Sequence, residues 1–448
     1  MAYLIICRLI VFDFMGRPKK LTPTVEKAPP RLAGSFDLLP DQHLSWDVFL
    51  EKMVSLAHNF GYTRIDTPMF EDARLFGFWS ASSPSRDGSQ SHDQLLIFQN
   101  GKDNAIAAKP TNIFSLVRAY LEHRFPEREK VSKWYYYSPV VFSSNNEIKQ
   151  SSEYGFQIFG QIAPIADAQM INLLLKLFSE IGLSPLSLEI NNIGCIECQP
   201  AYQTQLRSYF KDKKYDLCEN CLDYLENDQP LQILACKNLS CSTAAADAPT
   251  LIDYLCENCR KHFIGVLEGL DELGIAYNLN PKVIGKPWAR RTVFEIHYRA
   301  ESAETVLGAG GHADDLIQSL GGAPTQALGF SGNSEMILTA FDLANLKFAA
   351  KNKVDVFLVP LGDLAAKKTL RLFTELWNHK IMASEFAGPG SIKTQLKLAE
   401  SNKVSIALII GQKEARDGTV ILRDVRSGMQ ELFTSERIIE EVKKRLGK

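Results

Sequence analysis

Eight of the chain's nine cysteines fall between Cys195 and Cys259. Cys195/Cys198, Cys218/Cys221 and Cys256/Cys259 are CxxC pairs, and Cys236/Cys241 is a CxxxxC pair. A CxxC turn sets two thiolates on one side of an ion, and a second pair completes a tetrahedral sulfur site for Zn2+. Four pairs thus make two zinc sites, or one site beside four structural thiols. Disulfides are the rival reading, weakened by the lack of a secretory signal, because thiols in a reducing cytosol are more often metal-bound or free. An iron–sulfur cluster would use the same ligands, and thiols that only pack in a core are a further alternative. A site with four protein ligands has no open position, so zinc held this way is structural rather than catalytic. A second pattern lies near the C-terminus, where Lys393 and Lys397 stand four apart and share one helix face. That pairing suits a phosphate backbone; a solvated lysine face is the plainer alternative.

These residues need a scaffold. At roughly 100–200 residues per domain, a chain of 448 residues makes two to four domains. A hydrophobic share of 45% and a charged share of 23% suit a soluble globular protein of cytosolic type and argue against disordered, collagen-like and membrane-spanning classes. The net charge of −2 excludes a uniformly basic nucleic-acid coat protein. Charge is uneven, however: 17 Lys+Arg face 12 Asp+Glu from Lys353 onward, against 33 and 40 before it. A weakly basic C-terminal unit follows an acidic body.

The opening MAYLIICRLIVFDFM, which holds Cys7, is interrupted by Arg8 and Asp13 and is shorter than the roughly 20 apolar residues a bilayer span takes. It reads as a short buried strand, or as sequence ahead of a true start at Met15. Residues 1–33 as a whole read as a flexible leader rich in proline. Helical spacing follows over 41–60, with Asp41 as a cap after Pro40, and over 112–125 and 166–182. Strand patterns cover 61–68, 95–98, 134–142 and 154–159, and the Ser-rich stretch 80–94 reads as a mobile loop. Strands and helices interleave without a regular βαβ period, which predicts an α+β fold with an antiparallel-leaning sheet. From Val354 the order β-α-β-α-β-β-α, with continuous apolar strands, predicts a compact α/β domain.

Several segments carry more than pattern. GSFDLLP (34–40), FGYTRIDTPMFEDARLF (60–76), NNIG (191–194), QPLQILACK (229–237), APTLIDY (248–254), RTVFE (291–295), GAGGHADDL (308–316) and LGG (320–322) stand in fixed order. Together they resemble the histidyl-tRNA synthetase family of class II aminoacyl-tRNA synthetases, over about residues 34–445. VDVFLV (354–359), GSIKTQLKLA (390–399), ALIIGQKE (407–414), GTVILRD (418–424) and SGMQ (427–430) resemble the anticodon-binding domain of that group. The resemblance implies a class II antiparallel core at 34–193 and 261–345, a Cys-rich insertion at 194–260 and an anticodon-binding-type α/β domain at 353–448. It also implies a homodimer through the 60–76 segment, a cytoplasmic setting, and tRNA or another structured RNA as partner, met by Lys393, Gln395 and Lys397.

The positions that do chemistry in the family depart from its pattern. Phe142 stands where an arginine grips the α-phosphate of ATP, and the loop 143–149 is shortened. Met336, after Glu335, stands where an arginine packs on adenine, and Ile284 opens the segment that reads RGLDYY in the family, where only Gly285 and the later Arg291 hold the pattern and Trp288 is a vestigial position. In the amino-acid pocket Lys109 replaces an arginine, Thr111 replaces a carboxylate, and Glu153 and Gln157 invert a Gln/Glu pair. One carboxylate and one amide remain for a small cationic ligand; ordinary strand polar groups are the plainer reading, as ion pairing is for Lys109 and Arg291. A phosphoryl-transfer site without its cations predicts lost or strongly reduced ATP-dependent histidine–tRNA ligation. Two alternatives stand beside this reading. One is an active ligase with relocated cations, which alone would need ATP and Mg2+. The other is a histidine sensor of the ATP phosphoribosyltransferase regulatory type, a group that usually lacks the C-terminal domain.

Overall fold

The computed structural model describes residues 29–77, 95–100, 104–144, 147–160, 162–286, 288–301, 303–348, 354–385 and 391–447. The expectations for the leader up to residue 28, including the Met15 start, and for the Ser-rich loop 80–94 lie outside the described residues. The chain divides into two units, Met1–Lys347 and Phe348–Lys448.

The first unit is built on an eight-stranded sheet. In spatial order its strands are Thr63–Arg64, Val131–Ser144, Glu147–Gly160, Gln326–Asn333, Glu304–His312, Arg290–Arg299, Leu186–Asn192 and Asn278–Leu279. All neighbours run antiparallel except the two short edge strands, which pair parallel. The mixed, antiparallel-rich architecture is the one expected. Val131–Ser144 and Glu147–Gly160 form one long hairpin paired from Val131↔Gly160 to Ser144↔Glu147. It reaches well beyond the 134–142 and 154–159 segments of the strand pattern, because its outer turns alternate polar residues that leave no hydrophobic period.

One sheet face takes aromatic rings where neighbouring residues have no side chain. Gly310 pairs with Phe294 on one side and Phe330 on the other, whose rings stack at 6.1 Å. A Cβ on Gly310 would come within 2.7 Å of Phe294 Cε1 and of the Gly329 carbonyl. Helix Pro40–Asn59 lays Phe49 against Tyr154 at 4.6 Å, and helix Pro164–Glu180 brings Phe178 to Phe330 at 6.2 Å. Pro40 opens the first helix, and the Gln42 side chain, rather than Asp41 as an N-cap, accepts from the Leu39 N–H at 3.0 Å. The other cluster joins helix Asn112–Glu122 to the hairpin through Phe114, Tyr120, Trp134 and Phe159. A separate three-stranded antiparallel sheet holds Phe70–Asp72, Asn104–Ala108 and Ile97–Asn100.

Residues 194–256 form a compact helical insertion. Helices Gln199–Asp212, Glu219–Glu226 and Leu239–Ala244, with 3-10 turns between them, enclose a small core of Tyr202, Leu206, Phe210 and Ile233 together with the buried cysteines. The chain returns to the sheet through helix Glu257–Glu272.

The second unit is a five-stranded sheet in the order Ala383–Glu385, Val356–Pro360, Ile406–Ile410, Thr419–Asp424 and Gln430–Thr434. The first three strands are parallel and the last two antiparallel. Ile406–Ile410 is buried at every position, as the unbroken apolar run predicts. The strand Gln430–Thr434 and the short helix Gln412–Asp417 have no counterpart in the predicted order. Gln430–Thr434 is an edge strand with Leu432 61% exposed, so no buried face stamped alternation on its sequence.

Candidate functional site

The cysteines resolve into two complete sets. Cys195, Cys198, Cys256 and Cys259 form one, and Cys218, Cys221, Cys236 and Cys241 form the other, with the four sulfur atoms of each set within 4.8 Å of one another. The sets are nested: the outer one closes the insertion at its base, where Cys195 Sγ lies 3.9 Å from Cys256 Sγ, and the inner one staples its interior. Cys198, Cys218 and Cys256 stand at helix N-caps, where backbone N–H groups favour thiolate. The Cys256 N–H donates to Cys198 Sγ at 3.2 Å and the Cys218 N–H to Cys241 Sγ at 3.1 Å. Burial raises the thiols of Cys198, Cys221, Cys241 and Cys259. Burial pushes Cys218 and Cys256 the same way, but N–H groups and neighbouring thiols outweigh it and pull both down. Four sulfurs so arranged, with N–H donors already on them, fit a tetrahedral metal.

A cleft of about 530 Å³ opens over the sheet, part of it in solvent, lined by Thr111, Tyr136, Gln157, Lys286, Trp288 and His312 among others. Gln157 is buried, and its Nε2 donates to the Ile158 carbonyl at 3.4 Å. Gly329 stands directly against its amide, where a Cβ would collide with Oε1. Trp288 packs edge-on to Phe114 at 5.2 Å and so occupies part of the cleft wall.

Glu153 does not face an open pocket. One carboxylate oxygen accepts from Thr111 Oγ1 at 2.8 Å, and the other from the Asn112 N–H at 2.9 Å and Asn112 Nδ2 at 3.0 Å. It caps helix Asn112–Glu122 from a neighbouring strand. The Asn112 side chain continues the network: Ser138 Oγ donates to Asn112 Oδ1 at 2.7 Å, and Lys109 Nζ donates to Ser138 Oγ at 3.1 Å and Thr67 Oγ1 at 2.9 Å. Lys109 is 1% exposed, and burial pulls its ammonium down to about 8 despite the field of Glu153. Of the two residues weighed for a small cationic ligand, Glu153 is engaged within the chain, and Gln157 alone lines the cleft.

The remaining candidate positions are scattered. Ile284 is buried in the insertion's apolar core, so the side chain in the place of an arginine packs against the Cys-rich module. Phe142 is half-buried opposite Lys149 in the hairpin, and Met336 is half-buried in helix Ser334–Leu343. Glu335 accepts from Ser151 Oγ and, at 3.1 Å, from Ser334 Oγ. Arg291, held at a φ of 53°, pairs with Asp314 at 3.2 Å. Sequence reasoning misses Asp314 and His312 as site residues, and likewise Tyr136, Asn112 and Lys286. Tyr136 and Asn112 look like ordinary core and cap residues along the chain, and only the fold brings them to the Glu153 corner.

In the second unit Lys393 and Lys397 are exposed on helix Ile392–Ser401. Gln395 is corrected as an RNA contact. It is 2% exposed, and its Nε2 donates to the Pro360 carbonyl at 2.9 Å, because position 395 falls on the helix face that packs on the sheet.

An antiparallel-rich sheet with a separate mixed α/β unit is the architecture of a class II synthetase with an anticodon-binding domain. The family described as Histidyl-tRNA synthetase matches residues 34–337, and Anticodon binding domain matches residues 355–445. The chain belongs to the histidyl-tRNA synthetase family. It is 31% identical to the Histidine–tRNA ligase of Dehalococcoides mccartyi over 417 residues, 92% of this chain and 99% of that one. It is also 31% identical to the Histidine–tRNA ligase of Halothermothrix orenii over 427 residues, 93% of this chain and 99% of that one. Apo S. aureus histidyl-tRNA synthetase shares the fold at a TM-score of 0.74 and 24% identity, over 93% of this chain and 99% of that one. So does a Bacillus halodurans C protein described as an ATP phosphoribosyltransferase regulatory subunit/histidyl-tRNA synthetase, at 0.61 and 17%, over 87% and 99%.

Proposed function

We propose that this chain is a histidyl-tRNA synthetase-family protein that has lost or strongly reduced ATP-dependent ligation of histidine to tRNA and retains RNA binding. The observation that carries the reading is the set Phe142, Ile284 and Met336 at the three arginine positions, with Ile284 committed to an apolar core. Apolar side chains there do not fit a bound ATP, because the charge on its phosphates and in the transition state needs preorganised cations. Losing one such group typically costs about 10²–10³ in rate, and the effect of three compounds. Purified protein should give no histidine-dependent ATP–pyrophosphate exchange. Robust exchange, abolished by Lys109→Met or Arg291→Ala, would establish an active ligase with relocated cations, and with it a need for ATP and Mg2+.

The RNA half of the reading rests on the match of residues 355–445 to an anticodon-binding domain and on the exposed pair Lys393 and Lys397. The same domain weighs against a regulatory-subunit role. Each cysteine set holds one structural Zn2+, giving two per chain. The protein pairs as a homodimer through the 60–76 region, where Phe70 is 54% exposed beside Ile97 and Phe98, 53% and 47% exposed, on the same three-stranded sheet. Among the described residues no helix is long and apolar enough to cross a membrane, and the cytoplasm of the family is its expected setting.

A further inference from the structure

Three buried side chains stand outside the cysteine sets and close on one another behind the cleft: Asp167, His262 and His312. Asp167 and His312 are fully buried and His262 is 7% exposed. They come from three elements. Asp167 lies in the first turn of helix Pro164–Glu180, His262 on helix Glu257–Glu272, and His312 at the end of strand Glu304–His312.

The two helices are pressed together by small residues. A Cβ on Gly265 would lie 3.1 Å from Pro164 Cβ, and one on Gly269 would lie 3.0 Å from Ala168 Cβ. Glycines four apart give one helix a flat face, and this close crossing fixes His262 over Asp167 without help from any ligand. His312 then meets Asp167 from the sheet, its Nε2 2.9 Å from Asp167 Oδ1. The two imidazoles stand perpendicular at 5.0 Å between centroids.

The hydrogen bonding at this point is incomplete. Asp167 Oδ2 and both ring nitrogens of His262 have no hydrogen-bond partner. A buried polar atom left without a partner is costly, and here two of them face each other, His262 Nε2 lying 3.7 Å from Asp167 Oδ2. That gap is too long for a hydrogen bond, but it suits two ligands each roughly 2.0–2.2 Å from one ion. Ligand atoms of all three residues lie within 4.8 Å of one another. The outer nitrogen of His312 is also provided for. Nδ1 lies 3.3 Å from Asp314 Oδ1, and Asp314 is itself held by the Ala327 N–H at 2.9 Å and by Arg291 at 3.2 Å. A carboxylate behind a histidine is how metal-bound imidazoles are oriented.

We propose that Asp167, His262 and His312 form a third metal site, separate from the cysteine sets, which takes a first-row divalent cation through two imidazoles and one carboxylate. The nitrogen and oxygen donors favour such an ion over Ca2+ or Mg2+, and no thiolate is present to select a softer one. Three protein ligands leave a coordination position for water or a cleft-bound molecule. His312 also lines the cleft, so an ion here would stand behind its wall.

The full-length chain loaded with Co2+ tests the proposal, because thiolate and imidazole–carboxylate sites absorb differently. His262→Ala and Asp167→Asn should each lower bound cobalt by one equivalent per chain while leaving the thiolate-to-cobalt charge-transfer bands unchanged. Equal cobalt in wild type and both variants would overturn the site, leaving the triad satisfied by a shared proton or a buried water. Should the variants fail to fold, X-ray absorption on the cobalt-loaded wild type decides. A nitrogen and oxygen shell beside the sulfur shell supports the site, and sulfur scatterers alone overturn it. The cobalt count is a difference between wild type and variant, and the absorption readout turns on the nitrogen and oxygen shell, so the site is tested whether or not the cysteine sets are filled.

Discussion

The insertion and the cleft are two candidate sites on one chain, and they have kept opposite things. In the insertion every donor atom is present, grouped in two sets of four, while the scaffold around it is a handful of short helices. In the cleft the scaffold is intact, down to glycines that seat Phe294 and Phe330, while the expected cations are replaced and the polar residues hold one another. With zinc bound as proposed, a small module of this kind would depend on its ligands for folding. A large sheet does not need its substrate-binding charges to fold, and their loss leaves the architecture standing.

The largest expected effect tests the insertion. Structural zinc contributes on the order of 10 kcal/mol to folding of a small module, so Cys259→Ser should release one metal per chain and open the base of the insertion. Zinc by elemental analysis, together with proteolysis mapped within residues 195–260, checks this. Cys241→Ser should release one metal while the base stays protected. Iron with visible absorption, or free thiols throughout, would end the zinc reading.

The cleft scaffold gives the next effect. Gly310→Ala puts a methyl group against Phe294 and the Gly329 carbonyl, an overpacking expected to cost about 1–3 kcal/mol. Denaturant unfolding should show this loss with zinc content unchanged, which separates the two regions.

Lys109 gives a smaller, pH-dependent effect. Its folded value of about 8 lies below the free-lysine value of 10.5, so between those limits the unfolded chain binds more protons than the native one. Stability therefore rises as pH climbs from about 8 to 10.5, and the burial cost is fully present below pH 8. Lys109→Met should raise stability at neutral pH by up to about 3 kcal/mol and flatten that rise. Stability curves that stay parallel across the range would show the ammonium to be better compensated than its surroundings imply.

The smallest effect concerns the second unit. Removing Lys393 or Lys397 should shallow the salt dependence of tRNA binding by roughly 0.7–0.9 in the log–log slope for each phosphate left without its lysine. Gln395→Ala should instead lower stability, because it breaks the bond to the Pro360 carbonyl. Binding that ignores salt would mean this unit no longer meets RNA through phosphate.

How far these regions can be read along the chain follows from the range of the forces involved. Helices Pro40–Asn59 and Pro164–Glu180 and the buried strand Ile406–Ile410 are legible because one face, or every position, is apolar. The cysteines are legible as pairs, but their nesting is not: Cys198 meets Cys256 across 58 residues, and no local pattern encodes that. Position 395 is misplaced by sequence reasoning because a similar motif does not say which side of the helix packs inward. The Glu153 corner and the Asp167 triad are invisible for the same reason, since each residue is ordinary in its own element and acquires a role only from partners such as His312, 145 residues from Asp167.

The nested cysteine sets bear on how such a module is tolerated at all. Cys195 and Cys256 lie side by side, so the chain departs from the sheet and returns to it at nearly one point. Whatever lies between behaves as a closed appendage whose ends are already joined. For such a loop the entropy of closure grows only with the logarithm of its length, by about 0.6 kcal/mol per doubling. Lineages could lengthen, shorten or re-equip the appendage while the sheet beneath it registered almost nothing.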